Sequence, residues 1–212
     1  EAIAKVITAV DADAILIVEA PNSGKRQSST RALENFAAAF DLRCNRALEG
    51  FANETRQEIT LLYDPNTCRV RHDPIGELPD HSNPLDAPRF DNIFQIDLDV
   101  DDTRERVNFS KPPLEVELLY KNHPPIRLIG VHVKSKAPHG AKTLKEQVQI
   151  SIANRRKQLA QCIWVRRRVD GHLNAGEPVI VLGDLNDGPG LDDYEQLFGH
   201  SGVEIVMGCD GD

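Results

Sequence analysis

Pro178-Val179-Ile180-Val181-Leu182-Gly183-Asp184-Leu185-Asn186 begins as a short continuous apolar run, the pattern of a buried strand, and the run stops at a glycine. An acid and an amide two positions apart follow. Residues two apart on extended backbone point the same way, so Asp184 and Asn186 can address one point in space. Asp187-Gly188-Pro189-Gly190 then breaks the backbone. A carboxylate and an amide held at a strand end suit water or phosphate oxygens in a crevice. The same pair equally suits a βα turn in which Asp184 or Asn186 caps the next helix.

Other apolar runs lie upstream. Ala14-Ile15-Leu16-Ile17-Val18-Glu19 reads as a buried strand ending in an acid, followed by the turn Pro21-Asn22-Ser23-Gly24. Thr30 to Phe40 carries Leu33, Phe36, Ala37 and Phe40 at helical spacing. Gln57 to Tyr63 reads as a strand with Ile59, Leu61 and Tyr63 on one face, and Cys68 to Arg71 as its hairpin partner. Asp73 to Arg89 is Pro-, Asp- and Asn-rich without periodicity, a long surface loop. Phe90 to Val100 is the next strand, and Asp99-Val100-Asp101-Asp102 a solvated acidic turn.

Leu114 to Tyr120 and Ile126 to Val133 are strands joined by the hairpin loop Asn122-His123-Pro124-Pro125. Thr143 to about Val169 is one long helix whose apolar stripe is Leu144, Val148, Ile152, Leu159 and Ile163. Arg155-Arg156-Lys157 and Arg166-Arg167-Arg168 fall mostly off that stripe. They read as a solvated face, with a phosphate-binding patch as the alternative. A short helix is expected around Asp192 to Phe198. Strands and helices mix without strict alternation, which places the chain among α/β (α+β) folds.

The 212 residues suit one domain with a large core, expected as a monomer. A net charge of −8 argues against a protein held to nucleic acid by bulk charge, but not against an enzyme that meets a few phosphates through local basic groups. No apolar run is long enough for a transmembrane segment. The chain opens at Glu1 without Met and without a signal pattern, so a processed protein or an excised fragment is expected and no compartment is assigned. Cys44, Cys68, Cys162 and Cys209 lie far apart, without zinc spacing; four unpaired thiols are the simpler expectation, with two disulfides as the alternative in an oxidising compartment.

Three strand ends carry polar groups: Glu19, His132 in Ile129-Gly130-Val131-His132-Val133-Lys134-Ser135-Lys136, and Asp184 with Asn186. Each has a bland role. Glu19 can cap a turn, and His132 can be a core histidine satisfied by backbone. A strand-end carboxylate is also a hard oxygen ligand of the kind Mg²⁺ selects. His132 alternates with Val131 and Val133 and shares its face with Lys134. A face carrying His and Lys is a poor core face and a plausible anion site.

Ile17-Val18-Glu19, Gly130-Val131-His132-Val133-Lys134-Ser135 and Gly183-Asp184-Leu185-Asn186-Asp187 together resemble the endonuclease/exonuclease/phosphatase superfamily, which includes DNase I, the abasic-site exonucleases, the inositol polyphosphate 5-phosphatases and the sphingomyelinases. Phe109-Ser110-Lys111-Pro112-Pro113-Leu114 adds to the resemblance, which runs in order from about Val6 to Leu197. It implies a DNase I-like four-layer sandwich, two packed mixed β-sheets flanked by helices, with the site at one end. It implies Mg²⁺ (or Mn²⁺) at Glu19 and a hydrogen bond from His132 to a non-bridging phosphate oxygen. Asp184 would orient or deprotonate the attacking water, and Asn186 would hold the phosphate or that water. Lys111 falls where DNase-like members carry a phosphate-contacting Arg; it keeps the charge and loses the bidentate fork.

Two parts of the pattern are not found: an Asn on a first strand, and a terminal Asp-His pair. Residues 1–212 therefore read as a single domain of this type without those segments. The implied function is a metal-dependent phosphoric ester hydrolase, acting on nucleic acid or on a small organic phosphate. An aromatic and Arg usually follow Gly-Asp-x-Asn in the 5-phosphatases, whereas Asp187-Gly188-Pro189 follows here, which disfavours an inositol phosphatase. The rival reading is a non-catalytic binding or scaffold module that keeps the fold.

Overall fold

The computed structural model describes residues 1–24, 26–52, 55–76, 87–98, 104–187 and 199–208. The chain divides into two compact units. Glu1–Ile75, Ser110–His132 and Gly176–Gly183 form the first; Gly76–Phe109, Val133–Ala175 and Asp184–Asp212 form the second.

In the first unit, α1 (Ala2–Val10) precedes β1 (Ala14–Ile17), α2 (Ser29–Ala39), β2 (Arg46–Glu49), β3 (Thr60–Tyr63) and β4 (Cys68–His72). The sequence reading had no counterpart for α1. β3 is the middle strand of a three-stranded sheet, antiparallel to both β1 and β2, with Leu61 opposite Leu16 and Leu48. The expected hairpin of 57–63 with 68–71 does not form. Both edges of β3 are taken, so β4 pairs instead with β7 (Leu114–Tyr120). β7 and β8 (Ile126–His132) do form the expected antiparallel pair, and β9 (Val179–Asp184) closes a four-stranded sheet of order β4-β7-β8-β9. The bonds Arg127 N–H to Pro178 O and Val133 N–H to Asp184 O advance the same way along both strands, so β8 and β9 run parallel. β9 is thus an edge strand. Its Ile180 is 48% exposed, not buried as the apolar run suggested.

One apolar core lies between the two sheets. Ile59, Leu61 and Leu16 come from the first; Cys68, Leu114, Val116, Leu118 and Leu128 come from the second. Strand alternation sends Ile15, Ile17 and Leu62 to the other face of the first sheet, where they meet Leu33 of α2. Gly130 lets the sheets come this close, because a Cβ there would stand 2.6 Å from a Leu16 methyl. The first unit is therefore α2, sheet and sheet in layers.

The second unit is built on α3 (Leu144–Asn174), with the ribbon of β5 (Phe94–Ile96) and β6 (Glu105–Val107) and the short helix α4 (Gly202–Met207). Thr143 and Glu146 form a capping box at the start of α3, and Ser201 and Glu204 do the same for α4. Buried Trp164 stacks on Phe94 at 5.2 Å and lies 5.4 and 5.2 Å from Phe90 and Phe109. The acidic turn at 99–102 and the short helix at 192–198 lie outside the described residues, as does most of the loop read over 73–89.

The stripe expected on α3 holds only in its later part, where Leu159 is buried and Ile152 and Ile163 are half-buried. Leu144 is 79% and Val148 45% exposed, while Ser151, Arg155, Gln158, Gln161, Arg168 and His172 are buried. The cause is backbone satisfaction. Loop carbonyls packed against α3 need donors. Gln158 Nε2 serves Leu185 O and Asn186 O; Gln161 Nε2 serves Asn108 O. Trp164 Nε1 and Arg168 serve Pro88 O, and Arg155 serves His200 O. The arginine runs are not a solvated face either. Arg156 pairs with Glu105 and Arg166 with Asp170, while Arg167 lies over the Phe94 ring at 5.0 Å.

Candidate active site

Glu19, Lys111 and His132 come together in the first unit from three separate segments. Glu19 lies just past β1, His132 ends β8, and Lys111 precedes β7. Pro112 disfavours the helical region for Lys111, which sits in a bend before β7. Lys111 Nζ donates to Glu19 Oε1 at 3.0 Å and lies 3.3 Å from His132 Nδ1. The lysine side chain is 12% exposed and the glutamate side chain 61%. The hydrogen bond from Lys111 is the main cause holding the Glu19 carboxyl below its ordinary pKa, and the Lys111 charge adds to it.

The turn after Glu19 is tied down by an acid that sequence reading passed over. Glu58 is 2% exposed and accepts from Ser23 Oγ at 2.5 Å. Ser29 Oγ lies 3.2 Å from its other oxygen and donates to Pro21 O at 2.6 Å. An acid beside a two-residue alternation looks like a solvated strand edge, so only the fold reveals its use. An open cleft of about 280 Å³ adjoins this turn, lined by Pro21, Asn22, Gln27, Ser28 and Arg31.

Asp184 and Asn186 belong to the second unit. They do not lie on one extended face, because β9 ends at Asp184 and Asn186 takes a left-handed φ of 50°. Asp184 Oδ1 instead accepts the backbone N–H of Asn186 at 2.7 Å, an Asx turn. Asn186 Nδ2 donates to Val133 O at 2.8 Å, and Val133 N–H donates to Asp184 O at 2.9 Å. Among the described residues Asn186 Nδ2 has no second acceptor.

The segment is clamped from both sides. Gln158 on α3 bonds the carbonyls of Leu185 and Asn186 at 2.8 and 2.9 Å. The Asp187 side chain is fully out of solvent, where it meets Arg155 at 3.5 Å, Lys136 at 3.0 Å and the Gly202 N–H at 2.5 Å. A buried carboxylate requires such partners. Arg155, Gln158 and Asp187 went unrecognised in the sequence, where helix periodicity assigns the first two by face and not by partner.

Among the described residues no three His, Cys, Asp or Glu side chains are grouped to hold a metal. None of the described helices is long and apolar enough to cross a membrane. No family model and no curated protein sequence matches this chain. Among solved structures it is similar to ANGEL2, a 2',3'-cyclic phosphatase, with a TM-score of 0.44 and 16% identity. The similarity covers 92% of this chain and 45% of that one, so this chain spans less than half of that structure.

Proposed function

We propose that this chain is a divalent-metal-dependent phosphoesterase that hydrolyses a phosphodiester or phosphomonoester by water attack. The observation that carries the reading is the triad of Glu19, Lys111 and His132. Its members lie 92 and 21 positions apart in sequence and meet within 3.3 Å, in agreement with the motif resemblance. The same resemblance makes the four-layer sandwich the expected complete architecture.

Glu19 fits Mg²⁺ as a single hard, exposed carboxylate kept ionised, since Mg²⁺ retains several waters and needs only one or two protein oxygens. When bound, such an ion would polarise a phosphoryl oxygen and stabilise the leaving oxygen. The remaining roles belong to the chain. A lysine ammonium only donates, so in the neutral His132 ring Nδ1 accepts and Nε2 carries the proton. The motif resemblance gives His132 the hydrogen bond to a non-bridging phosphate oxygen. Lys111 adds a full positive charge where negative charge grows in the transition state. By the motif resemblance, Asp184 would orient or deprotonate the attacking water, and Asn186 would hold the phosphate or that water.

The test is a panel of chromogenic phosphomonoesters and phosphodiesters with Mg²⁺ or Mn²⁺. Hydrolysis that chelator abolishes supports the reading; its absence across the panel overturns it. One observation favours the rival binding module: Lys111 already neutralises the Glu19 carboxylate. That module would bind inorganic phosphate equally well with and without chelator, and turn nothing over.

A further inference from the structure

Lys134 and Lys157 stand out among the cations of the second unit. Lys136, Arg155, Arg156 and Arg166 each pair with a carboxylate. Among the described residues neither Lys134 nor Lys157 has such a partner, although both are half-buried. Their positions are built. Gln161 Oε1 accepts the Lys134 backbone N–H at 2.7 Å, and Gln161 Nε2 donates to Asn108 O at 2.9 Å. Lys157 Nζ ends on the side chain of the same residue, 2.9 Å from Asn108 Oδ1. Desolvation pushes the pKa of Lys157 down, and the nearby Lys134 charge pushes it further. Two like charges brought together partly out of water are costly unless an anion joins them. Lys134 also adjoins Val133, whose backbone bonds Asp184 and Asn186.

We infer that Lys134, Lys157 and Asn108 form an anion site of the second unit that takes a phosphate group of a phosphorylated ligand. The two ammonium groups supply the charge, and the Asn108 amide N–H₂ supplies neutral donors.

Calorimetric titration of pyrophosphate into wild type, Lys134→Gln and Lys157→Gln tests this. Each substitution should weaken pyrophosphate by about tenfold or more, the scale of one charged hydrogen bond. Tm should not fall, since neither ammonium bonds a carboxylate. Lys134→Arg and Lys157→Arg, which keep the charge, should retain binding within a few-fold. Affinity unchanged in either Gln variant, or no pyrophosphate binding by wild type, overturns the site. The same titration with a 5′-phosphorylated dinucleotide and with a bisphosphorylated polyol separates the sources of the phosphate: the ligand whose affinity falls in the Gln variants is the class the site takes. Lysine-dependent pyrophosphate binding without any hydrolysis keeps the site and removes the proposed activity. Hydrolysis with lysine-independent binding does the reverse.

Discussion

Gly183→Ala should destabilise the strand end that carries Asp184. Gly183 has a φ of 132°, which L-residues rarely adopt, and a Cβ there would stand 2.1 Å from Val131 O and 2.9 Å from Val131 N. The backbone strain alone is worth about 1–3 kcal/mol. Relief of the clash requires β9 to withdraw from β8 by about 0.9 Å, the gap between 2.1 Å and the 3.0 Å that real Cβ atoms respect. That movement takes the 2.9 Å bond from Val133 N–H to Asp184 O out of range, and losing it costs about 1 kcal/mol. The sum is about 2–4 kcal/mol, or a Tm lower by roughly 4–16 °C for a chain of this length. Gly171→Ala is the matched control. It lies within α3 with nothing within 4 Å of its Cβ position. That change should stabilise by about 0.5–1 kcal/mol. Urea and thermal unfolding followed by circular dichroism read both. A Gly183→Ala protein within about 1 kcal/mol of wild type refutes the reasoning, because it would mean that β9 does not press against Val131.

Arg155→Met should cost about 3 kcal/mol, toward the low end for breaking a buried pair because Lys136 still faces Asp187; urea unfolding with no loss would show the clamp to be dispensable. Glu49 titrates in the opposite sense from a salt-bridged acid. Burial first, and then the charge of Glu58, raise its pKa above the ordinary 4.5, and its Oε2 is buried without a partner among the described residues. The folded state therefore holds this proton more tightly, and stability falls as pH rises above about 4.5 through the raised value. Glu49→Gln should be more stable than wild type at pH 8, and the difference should fade toward pH 4.5; a pH-independent difference in urea midpoints counts against it. Glu19→Gln should weaken Mg²⁺ or Mn²⁺ in a direct titration, and equal affinity removes Glu19 from the metal site. His132→Ala and Asp184→Asn should each lower kcat by roughly two orders of magnitude, and unchanged turnover in a folded variant removes that residue from the mechanism.

Local physics made much of the fold legible. β7 and β8 were readable because two apolar runs flank a Pro-rich turn, and α2 because Leu33 and Ala37 recur at helical spacing. Pairing was not. Whether 68–72 returns to β3 or joins β7 depends on which edges are already filled, and Ala14–Ile17 and Arg46–Glu49 fill both edges of β3. β9 carried the same kind of ambiguity. An apolar run signals a strand, but its place at the edge of the sheet comes from topology.

The residue types of the site were set by the sequence alone: a strand-end Glu19, a His132 alternating with valines, a lysine before two prolines, and an acid and amide after Gly183. Chemistry and order are local properties, so one chain suffices to read them. Only the tertiary structure decided that Lys111 bridges Glu19 and His132, that Asn186 turns out of the strand, and that Arg155, Gln158 and Gln161 face inward. The physical reason is partner supply. A polar side chain is buried when loop carbonyls or a carboxylate arrive opposite it, and those partners come from segments tens of residues away that helical or strand periodicity does not register.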